Sequence, residues 1–244
     1  MTPKVALVTG AAQGLGAAIA AALHQAGMRV ALADVASADG PALVLDPALE
    51  TARPLLLDVR RKEDFTAALD ALSGWGGVDV LVNNAAIAYT TPVMEISGDE
   101  FDAVMAVNLR GPFFACQVVG QHLREKGHGR IINIASQAGQ MGGTVTGAHY
   151  AASKAGLILL TKFFAREFAG SGVTVNAVSP GALDLPAVRA AVPADRLAAL
   201  EAAIPVRRLG FAEEIAAAVV LLASGQAGYV NGATWDINGG TFMR

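Results

Sequence analysis

The strongest constraint on how this 244-residue chain folds is an alternation that runs from end to end. Short aliphatic or β-branched runs are separated by longer segments of helical period. Strands are predicted at residues 5–9, 29–33, 54–57, 78–82, 130–135, 174–179 and 233–237. Helices are predicted at 15–25, 62–72, 99–125, 150–169, 194–202 and 212–223. Strands alternating with helices of this length imply right-handed βαβ units and a parallel sheet. The expected class is therefore α/β, a Rossmann-type doubly wound parallel sheet of about seven strands with helices on both faces. Residues 35–53 carry Gly40, Pro41 and Pro47 without a clear period, so the crossover helix there is expected to be short or irregular.

Length and composition limit the alternatives. No stretch reads as a linker, and 1–244 is expected to be one domain. With 53% apolar and 16% charged residues, the chain has the composition of a tightly packed protein that also covers surface by self-association. The 18 basic and 21 acidic residues leave a net charge of −3 with no basic cluster, so neither nucleic acid nor an anionic membrane is an expected partner. Cys116 is the only cysteine, which excludes an intrachain disulfide and multi-cysteine metal spacings; no metal is expected, and Cys116 reads as a small core residue. Residues 1–10 run directly into the first strand without the pattern of a secretory leader, so the expected location is cytoplasmic. The longest unbroken apolar run, 215–223, falls well short of the roughly 18 residues a membrane span needs.

The first strand ends in Thr9-Gly10-Ala11-Ala12-Gln13-Gly14-Leu15-Gly16 and leads straight into a helix rich in small residues. Glycines let the backbone turn sharply and approach a pyrophosphate, whose charge is met by free N–H groups at the positive end of the helix. Such a turn can also be a plain strand-to-helix connection; its place between the first strand and first helix is what points to a dinucleotide. Asp34 ends the second strand about twenty residues later, where a carboxylate accepts hydrogen bonds from adenosine ribose hydroxyls. It would repel a 2′-phosphate, and no Arg or Lys stands at position 13 or beside Asp34. NAD(H) is therefore expected over NADP. Asp58-Val59 closes the third strand, either flanking an adenine ring or capping the helix that starts near Lys62.

Tyr150 and Lys154, four residues apart on one predicted helix, share a helical face. A tyrosine with a pKa of about 10 is a poor base at neutral pH, and a neighbouring ammonium favours its phenolate. Alone, this spacing is equally that of a surface pair. Ser136, just past the predicted strand 130–135, lies at the carboxyl edge where ligands of doubly wound sheets bind, and its hydroxyl can reach a reacting oxygen.

Taken in order, these elements resemble the short-chain dehydrogenase/reductase family in its single-domain form. The resemblance covers about Val5 to Gly240. It extends to Asn83-Asn84-Ala85-Ala86, Val107-Asn108-Leu109-Arg110-Gly111, Asn176 with Pro180-Gly181, and Asn238-Gly239-Gly240. It implies Tyr150 as general acid or base, with Lys154 lowering its pKa and binding nicotinamide-ribose hydroxyls. Ser136 would orient the substrate oxygen, and Asn108 would hold a water of a proton relay. The cofactor would lie against Gly10, Gln13, Gly14, Leu15, Gly16, Asp34, Asp58, Val59, Asn84, Ala85, Ala86, Tyr150, Lys154, Pro180 and Gly181. The substrate would meet Ser136, Gln137, Met141 and Tyr150, with Thr144 on the same floor.

Two positions depart from the family pattern. Ala86 stands where Gly is usual, acceptable if its φ is negative. Leu185 stands where a Thr commonly bonds the nicotinamide carboxamide, leaving backbone groups or Asp184 to substitute. Residues 183–209, with Pro186, Pro193 and Pro205, are expected to form a mobile, largely apolar lid. Its Arg189, Arg196, Arg207 and Arg208 are either solvated or bind a carboxylate or phosphopantetheine. His149 reads as a surface residue at a helix start. The expected activity is NAD-dependent interconversion of a secondary alcohol and a ketone. The alternatives are a 3-oxoacyl-thioester reductase and a dinucleotide-sensing protein without chemistry. A homotetramer built through the helices 99–125 and 150–169 and the final strand with Phe242 and Met243 is the expected assembly.

Overall fold

The computed structural model describes residues 3–36, 38–143 and 146–244. Seven parallel strands, β1 (Val5–Thr9), β2 (Arg29–Asp34), β3 (Ala52–Leu56), β4 (Val80–Asn83), β5 (Gly129–Ile134), β6 (Val173–Pro180) and β7 (Thr234–Ile237), lie in the order β3-β2-β1-β4-β5-β6-β7. The order reverses between β1 and β4, which opens a crevice at their carboxyl ends. The helices are α1 (Gly14–Gln25), α2 (Asp39–Leu45), α3 (Lys62–Leu72), α4 (Gly98–Met105), α5 (Gly111–Lys126), α6 (Ala138–Met141), α7 (Ala148–Glu167), α8 (Pro186–Ala191), α9 (Ala194–Ala203) and α10 (Ala212–Ala223).

All five residues of β1 are buried, as a central strand covered on both faces requires. Its side chains alternate between two cores. Ala6 and Val8 join Ile19, Leu23 and Val219 beneath α1 and α10, while Val5 and Leu7 join Phe65, Val119 and Leu123 beneath α3 and α5. A third, smaller cluster of Leu197, Ile204 and Leu209 holds the lid together. One buried polar chain crosses the second core: Asn83 Nδ2 donates to Asn133 Oδ1 (2.8 Å), and Asn133 Nδ2 donates to Thr161 Oγ1 (2.9 Å). Cys116 is buried beside Asn83, and desolvation pushes its thiol up to about 12.

The predicted helix 99–125 is not continuous. It is α4, a π-helical turn over Ala106–Arg110, and α5. The turn carries Asn108 and Arg110, and Pro112 follows at the start of α5, where its missing N–H fits a helix beginning. Strand edges also moved: 54–57 became Ala52–Leu56 and 78–82 became Val80–Asn83, because pairing with β2 and β1 sets the ends. The helices α6 and α8 are too short to show a period. The crossover at 35–53 does contain a short helix, α2, of seven residues. By length and composition the helical stretch Gly98–Lys126 would cross a bilayer, but 44% of its apolar window is buried inside the protein. Its hydropathy is accounted for by Val104, Ala115, Val119 and Leu123 in the core.

At Gly120 on α5, a Cβ would lie 2.5 Å from the Phe168 ring. Gly120→Ala should therefore cost roughly 1–3 kcal/mol through overpacking. The urea midpoint should fall with the slope of the transition unchanged.

Candidate active site

The carboxyl ends of the strands open into one cleft of about 1020 Å³, running from the β1–α1 turn to the lid. At one end the turn is closed by its glycines. Gly10 and Gly14 have φ of +66° and +57°, and a Cβ on Gly16 would stand 2.0 Å from the Gly10 carbonyl oxygen. A Cβ on Gly14 would meet nothing within 4 Å, so the backbone there borders open space. Gln13 supplies no side-chain cap to α1, and the first turn holds no acidic residue, which leaves its amides to an outside anion. Gln13, Leu15 and Gly16 line the cleft beside this turn. These features fit the pyrophosphate of a dinucleotide.

Asn84 is part of the turn's support. Its Nδ2 donates to the carbonyls of Thr9 and Gly10 (both 3.0 Å), while Thr9 Oγ1 accepts from the amides of Asn84 and Ala85 (both 3.1 Å). Asn84 thus spends its donors on shaping the cradle. Ala86 does not take a left-handed φ, so its methyl is accommodated.

Asp34 ends β2 facing the same end of the cleft. Its Oδ2 accepts from the Ala12 amide (3.0 Å) and its Oδ1 from the Ala36 amide (3.1 Å), so the carboxylate is positioned by the turn and is not a freely solvated strand end. Asp58 and Val59 line the cleft nearby, with an unexpected neighbour, Arg60. The Arg60 guanidinium grips Asp58 (2.6 Å at its shortest) and holds that carboxyl below its ordinary range. Linear sequence separates Arg60 from Asp34; the adjacency of β2 and β3 brings both to the same cleft.

The other end gathers four polar side chains from three segments. Lys154 on α7 is 2% exposed, and its Nζ donates to the Ile134 carbonyl (2.7 Å) at the end of β5. Nζ sits 5.7 Å from the centre of the Tyr150 ring. Burial lowers the Lys154 pKa to about 8. Burial raises that of Tyr150, offset in part by a hydrogen bond with Ser136. In the protein alone the phenol is thus held neutral, contrary to the expectation that Lys154 draws its pKa down.

Asn108 sits in the π turn and is fully buried. Its Oδ1 accepts from the Ile87 amide (2.9 Å), and its Nδ2 donates to the Ile87 carbonyl (2.9 Å) and to Ser153 Oγ (3.2 Å). Both amide hydrogens are engaged, so any water at this residue would rest on its remaining acceptor groups. Ser153, absent from the sequence-based candidates, passes the link on by donating to the Tyr150 carbonyl (2.7 Å).

Gln137, Met141, Pro180 and Gly181 line the cleft as expected, and Thr144 lies outside the described residues. Leu185 also lines it, while Asp184 is not among the described lining residues and its carboxylate pairs with Arg189 (2.5 and 2.7 Å). Arg208 is likewise paired, with Glu214 (2.6 Å), and no lid arginine is among the described cleft-lining residues.

His149 corrects the surface reading. Its side chain is 0% exposed, with Nε2 2.9 Å from Glu100 Oε1, a close polar contact rather than a well-aligned hydrogen bond. Its ring stacks at 6.1 Å on Tyr89, a cleft-lining aromatic that an aromatic residue soon after Asn83-Asn84-Ala85-Ala86 could have flagged. The tertiary packing of α4 against α7 buries a position that a helix start alone leaves open.

Comparison with known proteins gives matches across this framework. A family model described as enoyl-(acyl carrier protein) reductase matches residues 10–241. The 3-oxoacyl-(acyl-carrier-protein) reductase of Vibrio cholerae is 41% identical over 241 residues, 98% of each chain. The D-threitol dehydrogenase of Mycolicibacterium smegmatis is 40% identical, covering 97% of this chain and 92% of its own. A solved structure of a candidate 2-deoxy-D-gluconate 3-dehydrogenase from Agrobacterium tumefaciens, with bound NADP, superposes with a TM-score of 0.87 at 38% identity, over 98% and 96% of the two chains.

The buried ammonium of Lys154 has a stability consequence. Its folded pKa of about 8 lies below the ordinary 10.5, so at neutral pH the folded state carries a charge it would rather lose. Lys154→Met should stabilise the ligand-free protein by on the order of 1 kcal/mol at pH 7, net of the lost bond to Ile134. The advantage should shrink as pH rises from about 8 toward 10.5, where the parent sheds the charge; urea titrations at several pH values check this.

Proposed function

The chain belongs to the short-chain dehydrogenase/reductase family, an oxidoreductase acting on CH–OH groups, and on that footing we propose that it interconverts a secondary alcohol and a ketone with NAD(H), using Tyr150 as the proton-transfer group. The observation that carries this reading is the hydrogen-bonded Tyr150–Ser136 pair beside the buried Lys154, in the same cleft as the glycine turn. The bound nicotinamide supplies or accepts the hydride. Ser136 holds the reacting oxygen against Tyr150, and the phenol gives its proton to a developing alkoxide or takes one from an alcohol. A phenol kept neutral by burial suits the donating direction. Lys154, mostly charged at neutral pH, favours phenolate once the proton has left and offers its two remaining donors to ribose hydroxyls. Asn108 holds the segment at Ile87 and, through Ser153, the backbone at Tyr150.

For cofactor choice, the support is Asp34, already oriented by two backbone amides at the adenosine end. Its charge opposes a 2′-phosphate. The NADP of the Agrobacterium structure and the presence of Arg60 speak for the other nucleotide, but that guanidinium already pairs with Asp58 through Nε and one terminal nitrogen. A second reading, 3-oxoacyl-thioester reduction, is favoured by the Vibrio relative. Against it, the lid arginines that would meet a carrier's phosphate are paired within the protein or lie off the cleft. A dinucleotide-sensing role without chemistry is disfavoured by the intact set of Asn108, Ser136, Tyr150 and Lys154. As an assembly we propose a cytoplasmic homotetramer, without nucleic-acid or membrane partners. The exposed Phe101 of α4, Leu159 and Phe163 of α7, and Met243 supply its apolar contacts.

Tyr150→Phe should reduce kcat by at least about 10²-fold while leaving NADH binding, followed by fluorescence titration, within a few-fold of the parent. Turnover within a few-fold of the parent would remove the mechanism. For the nucleotide, kcat/KM should favour NADH over NADPH, and Asp34→Ala should narrow the ratio; a parent enzyme that prefers NADPH would overturn the assignment.

A further inference from the structure

The Ser136 hydroxyl is set by a helix too short to hold itself. α6 has four residues, and a single isolated helical turn is unstable in water. The Ala138 amide donates to Ser136 Oγ (3.1 Å) and the Gly139 amide to the Ser136 carbonyl (3.0 Å), so the direction of the hydroxyl follows the placement of α6. That placement comes from outside the helix. On one side Gly139 lies against α7, where a Cβ would stand 2.6 Å from the Ala155 amide nitrogen and the Lys154 carbonyl carbon. Just before α6, the Gln137 amide donates to the Pro180 carbonyl (3.0 Å).

The third support is Gln140. Its Nε2 donates to Asp236 Oδ1 (2.7 Å) on β7, and its Oε1 accepts from Ser179 Oγ (2.8 Å) on β6. Ser179 and Asp236 are direct partners in the β6–β7 ladder, so two neighbouring strands offer a donor and an acceptor side by side. An ionised carboxylate only accepts, which fixes the way the Gln140 amide faces. Asp236 is held in turn by Arg244, whose Nε donates to Oδ2 (2.8 Å) while a terminal nitrogen donates to the Thr234 carbonyl (2.8 Å). None of Gln140, Ser179, Asp236 and Arg244 is among the described cleft-lining residues, so whatever they do for the reaction passes through α6.

We propose that Gln140 is a positioning residue for the reaction: anchored on Asp236 and Ser179, it holds α6 where the Ser136 hydroxyl meets the Tyr150 phenol. This rests on the reading of Ser136 and Tyr150 as the pair that holds the reacting oxygen. Without the anchor, α6 keeps only its backbone bond to Pro180 and its packing on α7, and the far end of the turn is free to shift. Because Ser136 is bonded to that turn through both its hydroxyl and its carbonyl, such a shift changes the aim of the hydroxyl. The nucleotide end of the cleft, built from the β1–α1 turn and Asp34, is left as it was.

The test uses the full-length enzyme and NADH with cyclohexanone, 2-butanone and acetoacetyl-CoA, followed on whichever the parent reduces fastest. Gln140→Met removes both side-chain bonds at similar length and should lower kcat about tenfold, with the KM for NADH within about threefold of the parent. Gln140→Glu, which sets a second carboxylate against Asp236, should show at least as large a loss. Exchanging the two groups, as Gln140→Glu with Asp236→Asn, recreates the pair with its donor reversed and should restore kcat to within about threefold of the parent. In a Ser136→Ala background, Gln140→Met should lower kcat by less than about twofold, because a residue that acts through Ser136 then has nothing left to aim. A general loss of structure would instead add to the Ser136→Ala defect. An additive loss in that background, an unchanged kcat in Gln140→Met, or an exchange variant no better than Gln140→Glu would overturn the proposal. Failure of the underlying reading looks different: Tyr150→Phe as active as the parent, or no reduction of any of the three compounds by the parent, removes the pair and the proposal with it.

Discussion

A single buried cation organises the reactive end of this protein. Lys154 is almost without solvent, and its ammonium has been taken from water to rest on one main-chain carbonyl, that of Ile134. The cost is visible in the pKa, lowered by burial to about 8. Such a charge is tolerated where the carboxyl edge of a central strand supplies an acceptor at a fixed place, and the end of β5 at Ile134 is that place. The same burial keeps Tyr150 protonated, so one environment sets the state of both partners before any ligand is present.

Around that cation the backbone departs from regularity where a side chain has to be delivered. The π turn of Ala106–Arg110 brings Asn108 into the interior, where it is bonded to both polar groups of Ile87. Through Ser153 the same amide reaches the first turn of α7, one bond from Tyr150. The segment after β4, the π turn and α7 are thus fixed to each other by a few buried hydrogen bonds. Local irregularity of this kind persists only when its surroundings determine it.

The cleft is divided chemically along its length. One end presents glycine backbone, Asp34 and the Asp58–Arg60 pair; the other presents aliphatic lid side chains over a floor of Ser136 and Gln137. The polar end suits a molecule recognised by charge and hydroxyls. The apolar end suits one held mostly by burial and oriented by few polar groups.

Much of this could be read from the chain. The alternation of apolar runs and helical periods determined the parallel sheet, and the glycine turn, Asp34, Ser136, Tyr150 and Lys154 were legible because local spacing on a strand end or helix face fixes where such side chains go. What local spacing cannot report is which distant segment fills the space opposite. The π turn joins two helices that local pattern merges into one, and His149 read as exposed because only the packing of α4 on α7 buries it against Glu100. Arg60 reached the same cleft as Asp34 through strand order, and Asp184 paired with Arg189 through the lid's own folding. The sequence by itself determined the elements and the chemical groups. The tertiary structure decided their charge states and which hydrogen-bonding groups were left unpaired, because desolvation and partner supply depend on every element packed around a group.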